Sequence, residues 1–471
     1  MVDGSSSNEA VNLRDLFLAF AEKLLASARS HIDAHGMPKR HEHAFRFQAA
    51  PKSSSGSITV FGTIEKPDYA SLLFINWQFW AIEEAECCAR EHFEQGVRRV
   101  RQSSDDDSKA IATPIFGPLR DGLGRQLTYE LYWAVAQLCE RYQTLDLTEE
   151  QLLGAYKLLT EEWTSPTVVW DLSAPLVNFK CEKFPLLVGS GVELAALSPE
   201  EKTTLWNPNG AGRPFGEPQG LDRGDMARAQ FVLRDSSTTA RDGQGFGPEF
   251  RSEVIRVLTA LRLLKSGDIG VPAILGVSKG LFERTASQYV FDGRARNSGR
   301  TYELSSGDWD ASRKIYDALR AIDDKMQIPL RRFNQAYGRQ SGEDTIIDLT
   351  IALESCLLPN TRDELQYRLS TRGAALLAGL RKPVETQTLL KTMYGIRSEI
   401  VHNGKLLSEN GVRKKIESLG PIVAKDFLHA CEDVVRDVLR ESILRLATGG
   451  TLSALSQELD AKVLSGLLPL A

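Results

Sequence analysis

The chain has no apolar run approaching the roughly 20 residues that a membrane-spanning helix needs, so a helical membrane protein is excluded and no membrane partner is expected. Cysteine is scarce, with six in 471 residues and no paired CxxC spacing, which leaves no zinc ribbon and no dithiol motif. Cys87 and Cys88 are adjacent, while Cys139, Cys181, Cys356 and Cys431 mostly stand in apolar contexts. Free buried thiols in a reducing cytoplasm are the plain reading. Positive charge is not in excess: Lys and Arg total 57 against 62 Asp and Glu, for a net charge of −5. That argues against a broadly basic nucleic-acid coat and leaves room for a local RNA site.

The familiar catalytic signatures are also missing. There is no Gly-x-Ser-x-Gly elbow. The glycine-rich Asn209–Arg213 lacks the Gly-Lys-Ser/Thr ending that cradles phosphates and reads as a flexible loop. Asp105, Asp106 and Asp107 do not form an EF-hand loop. Four histidines gather at His31, His35, His41 and His43, but Ile32, Asp33 and Ala34 separate the first two where a zinc-protease helix needs glutamate. A surface histidine cluster is expected there, so neither a metal nor a cofactor is implied. Met1 to Asn8 is polar and acidic, unlike a signal peptide, and the expected location is cytoplasmic.

What is present is an ordinary globular composition, in a length that implies two or three domains. Hydrophobic periodicity predicts helices over Val11–His31, Trp77–Val100, Leu127–Tyr142 and Glu149–Trp163. Strands are predicted over Ser57–Ile64, two or three times between Thr167 and Val192, and over Ala227–Leu233. Phe74, Trp77, Phe79 and Trp80 suit an apolar helix face better than a base-stacking platform. Asn207–Gly224 reads as a long loop, and Asp242–Gly245 as the domain boundary. Beyond Pro248, helices are expected over Asp310–Ile322, Leu330–Tyr337, Ser341–Leu358, Asp363–Leu380, Thr386–Val401 and Ala424–Leu446, with a single strand or extended link at Tyr302–Leu304 and a last apolar helix in the tail. The class is α+β. Residues 1–245 form a mixed N-terminal domain of recognition role, and 246–471 an all-α helical domain with a helical tail.

One nine-residue run carries the chemistry: Arg397-Ser398-Glu399-Ile400-Val401-His402-Asn403-Gly404-Lys405. Arginine holds a phosphate through paired, charge-assisted hydrogen bonds. Histidine moves protons near neutral pH. Together they suit phosphodiester cleavage without a metal. Leu389, Met393, Ile396 and Ile400 make the apolar stripe of the helix, and Asn403-Gly404 ends it. At about 100° per residue, His402 falls opposite that stripe and Arg397 at its edge. Their five-residue step puts them roughly 140° apart, so one helix does not aim both at one phosphate unless the arginine reaches around. Two copies meeting across a dimer axis could build a composite site. The stretch Arg362–Lys405 is locally basic, which a solvated helix face explains about as well as RNA.

The segment Ile328–Lys405 resembles the Apea-like branch of the HEPN superfamily. The matching pieces are Arg332–Tyr337, Asp348–Leu358, Tyr367–Leu377 and Tyr394–His402, in that order and spacing. The resemblance covers roughly Phe250–Leu446. It implies a small helical bundle that commonly dimerises and, in many members, a metal-independent endoribonuclease using an Arg-x4-6-His motif. That motif falls on Arg397 and His402. Ser398 follows the arginine where active members often carry asparagine or aspartate. Glu354 resembles an acidic position of the family and would orient the histidine or arginine; a helix-surface or ion-pair role is the other reading. The resemblance implies an RNA-cleaving homodimer serving phage defence or stress-induced growth arrest, with an unidentified trigger for the N-terminal domain. The alternative is a non-catalytic module that binds RNA or mediates dimerisation.

Overall fold

Phe17, Ala21, Leu24, Leu25 and Ala28 recur at three- and four-residue steps and are all buried, which makes Leu13–His35 an amphipathic helix, α1. The structure is a computed structural model that describes residues 13–48, 57–67, 69, 72–73, 123–164, 167–182, 184–188, 192–197, 229, 231–240, 248–279, 285–290, 293, 300–322, 326–359, 361 and 363–466. β1 (Lys39–Gln48) and β2 (Ser57–Pro67) pair antiparallel, with a register shift between Ala44 and Phe45. β2 was expected from its alternation; β1 was not, because histidines and charges fill its sequence. α2 (Leu123–Tyr142) and α3 (Glu149–Thr164) pack with α1 around one core running from Phe17 to Leu159. The expected helix Trp77–Val100, the aromatic set at its start, the loop Asn207–Gly224 and the boundary Asp242–Gly245 lie outside the described residues.

A second core runs from Trp170 to Leu459. Its sheet is built from β3 (Thr167–Leu176), β5 (Leu186–Val188), β6 (Val192–Ala196) and β7 (Phe231–Ala240), with β4 (Phe179–Cys181) beside it in sequence. In β3, Trp170, Leu172, Ala174 and Leu176 are buried at every second position, the period that lines one face of a strand. α4 (Pro248–Leu264) follows, burying Val254, Val257, Leu258 and Leu261. The chain then returns to the sheet through β8 (Ala273–Lys279) and β9 (Thr285–Tyr289). The strand order is β5-β6-β7-β3-β8-β9, antiparallel throughout, and β10 (Tyr302–Leu304) pairs in parallel with β4.

This corrects the expectation of an all-helical segment from residue 246. β8 and β9 lie after that point and hydrogen-bond to the sheet that precedes it, and one core joins the strands to the later helices. The physical reason is local: Ala273–Val277 is a short apolar run, which periodicity alone does not assign to strand or helix.

The helical region continues with α5 (Trp309–Ala321), α6 (Gln327–Tyr337), α7 (Gly342–Leu357), α8 (Leu365–Leu376), α9 (Pro383–Asn403), α10 (Asn410–Glu417), α11 (Pro421–Lys425), α12 (Phe427–Leu446) and α13 (Leu452–Leu464). Ser341 starts α7 by accepting a hydrogen bond from the Asp344 N–H, the usual N-cap device. Leu353, Leu357, Leu376, Leu389, Met393 and Ile396 are buried as their periodicity requires, while Ile400 is half-buried near the end of α9. No strand interrupts the described residues between 341 and 401. α8 and α9 meet at Gly373, where a Cβ would stand 2.4 Å from Leu390 Cδ1, so a larger residue there requires the Leu390 side chain to shift.

Buried charge joins α4, α6 and α12. Fully buried Arg262 donates to the Ile269 carbonyl and to Asn334 Oδ1 (3.0 Å), and its guanidinium lies 4.2 Å from the Tyr337 ring centre. Arg436 donates to the Arg262 carbonyl (2.7 Å), to the Tyr337 hydroxyl (3.1 Å) and to Glu432. Each charge there has a partner, as burial in a low-dielectric interior demands.

Candidate functional site

α9 carries both Arg397 and His402, and its ends are well defined. Pro383 occupies the first turn, where a missing N–H costs nothing, and Gly404 closes the helix in a left-handed conformation (φ 62°). Arg397 faces α7. Its Nη2 stands 3.8 Å from Glu354 Oε2, and the two side chains are 21% and 23% exposed. That distance is an electrostatic pair rather than a hydrogen bond. Arg397 Nε is buried and has no hydrogen-bond acceptor among the described residues. Tyr394, one turn earlier on α9, is half-buried and packs against the main core. Burial pushes the Glu354 carboxyl above its usual range, opposed by Arg397 and then by Tyr394.

His402 is exposed in the last turn of α9 and makes no hydrogen bond or ion pair among the described residues. Ser398 is half-buried and its hydroxyl likewise has no partner among them. The structure therefore brings Arg397 and Glu354 together and leaves His402 outside that pair. The helical geometry anticipated this separation.

The end of α9 is tethered. Glu399 is paired with Lys405 (3.4 Å) and with Lys415 of α10, and the Leu407 N–H donates to Glu343 (2.9 Å). The Lys415 hydrogen bond is the leading cause that lowers the Glu399 carboxyl below its usual range. α10, which periodicity did not pick out, thus brings Lys415 to the helix end. By contrast, the basic stretch 362–405 is largely neutralised. Arg368 and Arg372 meet Asp460, Arg381 meets Asp437, Lys382 meets Glu385 and Lys405 meets Glu399. The ion pairs favour the solvated and structural reading for most of that stretch.

The remaining candidates are accounted for by packing. His31 and His35 stack with ring centres 4.5 Å apart, and among the described residues no group of three or more His, Cys, Asp or Glu is arranged to hold a metal. Cys139, Cys356 and Cys431 are buried, and burial pushes the thiols up, to about 12 at Cys139 and about 11 at Cys356, so they are poor nucleophiles. Among the described residues no helix is long and apolar enough to cross a membrane. Compared with family models, curated proteins and solved structures, the chain matches none.

Proposed function

We propose that the C-terminal helical region is a HEPN-like module that cleaves RNA without a metal, with the N-terminal region recognising a trigger. The observation that carries this reading is the state of Arg397. Its guanidinium is held at a helix edge by a loose pair with Glu354, keeps a buried N–H without an acceptor, and shares α9 with an exposed histidine. In the proposed reaction the RNA 2′-hydroxyl attacks the adjacent phosphorus and the bond to the 5′-oxygen breaks. His402 takes or supplies the protons that move. Arg397 neutralises the charge building on the phosphoryl oxygens. The products are a 2′,3′-cyclic phosphate and a 5′-hydroxyl. Because the five-residue step separates the two groups around one helix, Arg397 of one copy and His402 of another complete a site in a homodimer. A role in phage defence or growth arrest follows by analogy alone.

A specific observation favours a second reading. Arg397 has an acidic partner within its own chain and His402 makes no hydrogen bond or ion pair among the described residues, as expected of a module that binds RNA or a second copy without cutting. Purified protein incubated with total RNA in chelator, beside His402→Ala, decides between them. Chelator-resistant cleavage lost in the variant supports the enzyme. Binding without cleavage supports the module.

A further inference from the structure

The Asp348 side chain of α7 is only 2% exposed, and its two oxygens are taken by two different arginines. Arg332 of α6 donates from Nη1 to Oδ1 (2.9 Å), and Arg339, in the link between α6 and α7, donates from Nε to Oδ2 (2.5 Å). Elsewhere in the bundle one arginine suffices: Arg372 forks both oxygens of Asp460, with Arg368 standing off at 3.8 Å. At Asp348 neither arginine closes a fork, so most donors of both guanidiniums are left over. Arg332 Nη2 and both Nη atoms of Arg339 make no hydrogen bond among the described residues, and Arg332 Nε is enclosed without an acceptor among them. The two side chains are 34% and 41% exposed, so the pair reaches the surface. Two guanidiniums against one carboxylate leave a positive charge. Asp344 also acts on Arg339 but makes no ion pair with it among the described residues. Because one carboxylate spans them, the two guanidiniums lie within roughly 8 Å of each other, a gap that one phosphate group bridges with hydrogen bonds to both.

We propose that Arg332 and Arg339 form a binding site for a phosphate group, with buried Asp348 as the positioning residue that holds both guanidiniums. The site is separate from the Arg397–Glu354 pair. Glu354 follows Asp348 on α7 by six residues, about 9 Å along the helix and about a third of a turn around it. The inference therefore goes beyond the reading of Arg397 and His402, since it requires phosphate binding and no cleavage. A phosphate within an RNA strand and the phosphate of a free nucleotide offer the same oxygens, and the experiment separates the two sources.

The test uses the full chain and phenylglyoxal modification, read by mass spectrometry at Arg332, Arg339 and, as a control, exposed Arg320 of α5. The probes are inorganic phosphate, adenosine 5′-monophosphate, and a 2′-O-methyl RNA octamer without a terminal phosphate, which has no free 2′-hydroxyl to attack. The expected result is protection of Arg332 and Arg339 with Arg320 unaffected. Protection by the octamer at lower concentration than by the mononucleotide marks an RNA backbone as the source, and the reverse order marks a free nucleotide. Arg339→Gln keeps Asp348 paired through Arg332 and should weaken calorimetric binding of the best probe roughly tenfold. Asp348→Asn makes the pair more positive yet should also weaken binding, because the arginines lose their common anchor. A charged patch without positioning gives the opposite sign. Absence of protection by every probe, protection equal to that at Arg320, or undiminished binding by Arg339→Gln overturns the inference. Tighter binding by Asp348→Asn overturns the positioning role, and if that variant does not fold, protection and Arg339→Gln decide the matter. Whether the parent cuts RNA bears on the proposed function alone.

Discussion

Arg372 grips both carboxylate oxygens of Asp460 from a side chain only 5% exposed, and in doing so fastens α13 to the middle of the helical region. The same guanidinium donates to the Leu357 carbonyl at the end of α7 (2.7 Å), so one side chain ties three helices. Leu452, Leu455 and Leu459 supply the apolar half of that docking. Arg372→Ala leaves the Leu357 carbonyl without this donor and Asp460 without its fork. The expected cost is roughly 2–3 kcal/mol, read by chemical denaturation, with faster amide exchange across 452–464. Unchanged exchange in α13 would show that the leucines alone hold it.

Asp460 gives that docking a pH dependence. The Arg372 hydrogen bond lowers its carboxyl below the usual range, against a smaller opposing effect of burial. A group whose folded pKa is depressed contributes its stability at neutral pH and loses it as pH falls through the folded value. Exchange protection of α13 should therefore hold at neutral pH and decline in acid below the usual carboxylate range. In Asp460→Asn the decline should be absent, with protection already reduced at neutral pH.

His402→Ala and Arg397→Ala separate chemistry from folding. His402 is exposed and unpaired among the described residues, so its loss should change stability by less than about 0.5 kcal/mol while abolishing RNA cleavage. Arg397→Ala should also abolish cleavage, with a modest stability change because Glu354 loses its cation. A His402→Ala protein that cuts RNA at the parent's rate would remove His402 from the mechanism.

Two glycines govern α9 for different reasons, and their alanine variants should differ. At Gly404 nothing stands within 4 Å of an added Cβ, so the cost is that of the left-handed backbone, about 1 kcal/mol. At Gly373 the added carbon meets Leu390 in the core, so the cost is overpacking, roughly 1–3 kcal/mol. Thermal melts of both variants check the order.

The composite site requires two copies. Light scattering at micromolar concentration should give the mass of a dimer. Mixing Arg397→Ala with His402→Ala protein should restore part of the cleavage that each lacks alone. A monomer that retains full activity would contradict the shared site.

The long helices of the C-terminal region were legible because each carries an apolar stripe over many residues, as in Leu389, Met393 and Ile396, whereas the eight-residue α10 buries only Val412. The strands after residue 246 were not, because a short apolar run such as Ala273–Val277 is too short for its period to speak. β1 was hidden by its charges. At the site, Arg397 and His402 could be read from spacing, and so could their separation around the helix. Glu354 could be read only from the resemblance, as a partner of the arginine or the histidine; that it meets Arg397 depends on how α7 and α9 pack in space.

The shared core sets where this chain can be divided. β3 lies at the centre of the sheet, between β7 and β8, and it comes from residues 167–176. A fragment begun at residue 246 would keep β8, β9 and β10 but lose β3 and β4, which pair with β8 and β10, exposing unpaired edges of the kind that aggregate. A fragment begun near residue 165 would keep the sheet, α4 and the helices behind it as one folded piece. The boundary that matters for cutting, fusing or separately expressing this protein therefore falls about eighty residues earlier than the change from strand to helix suggests.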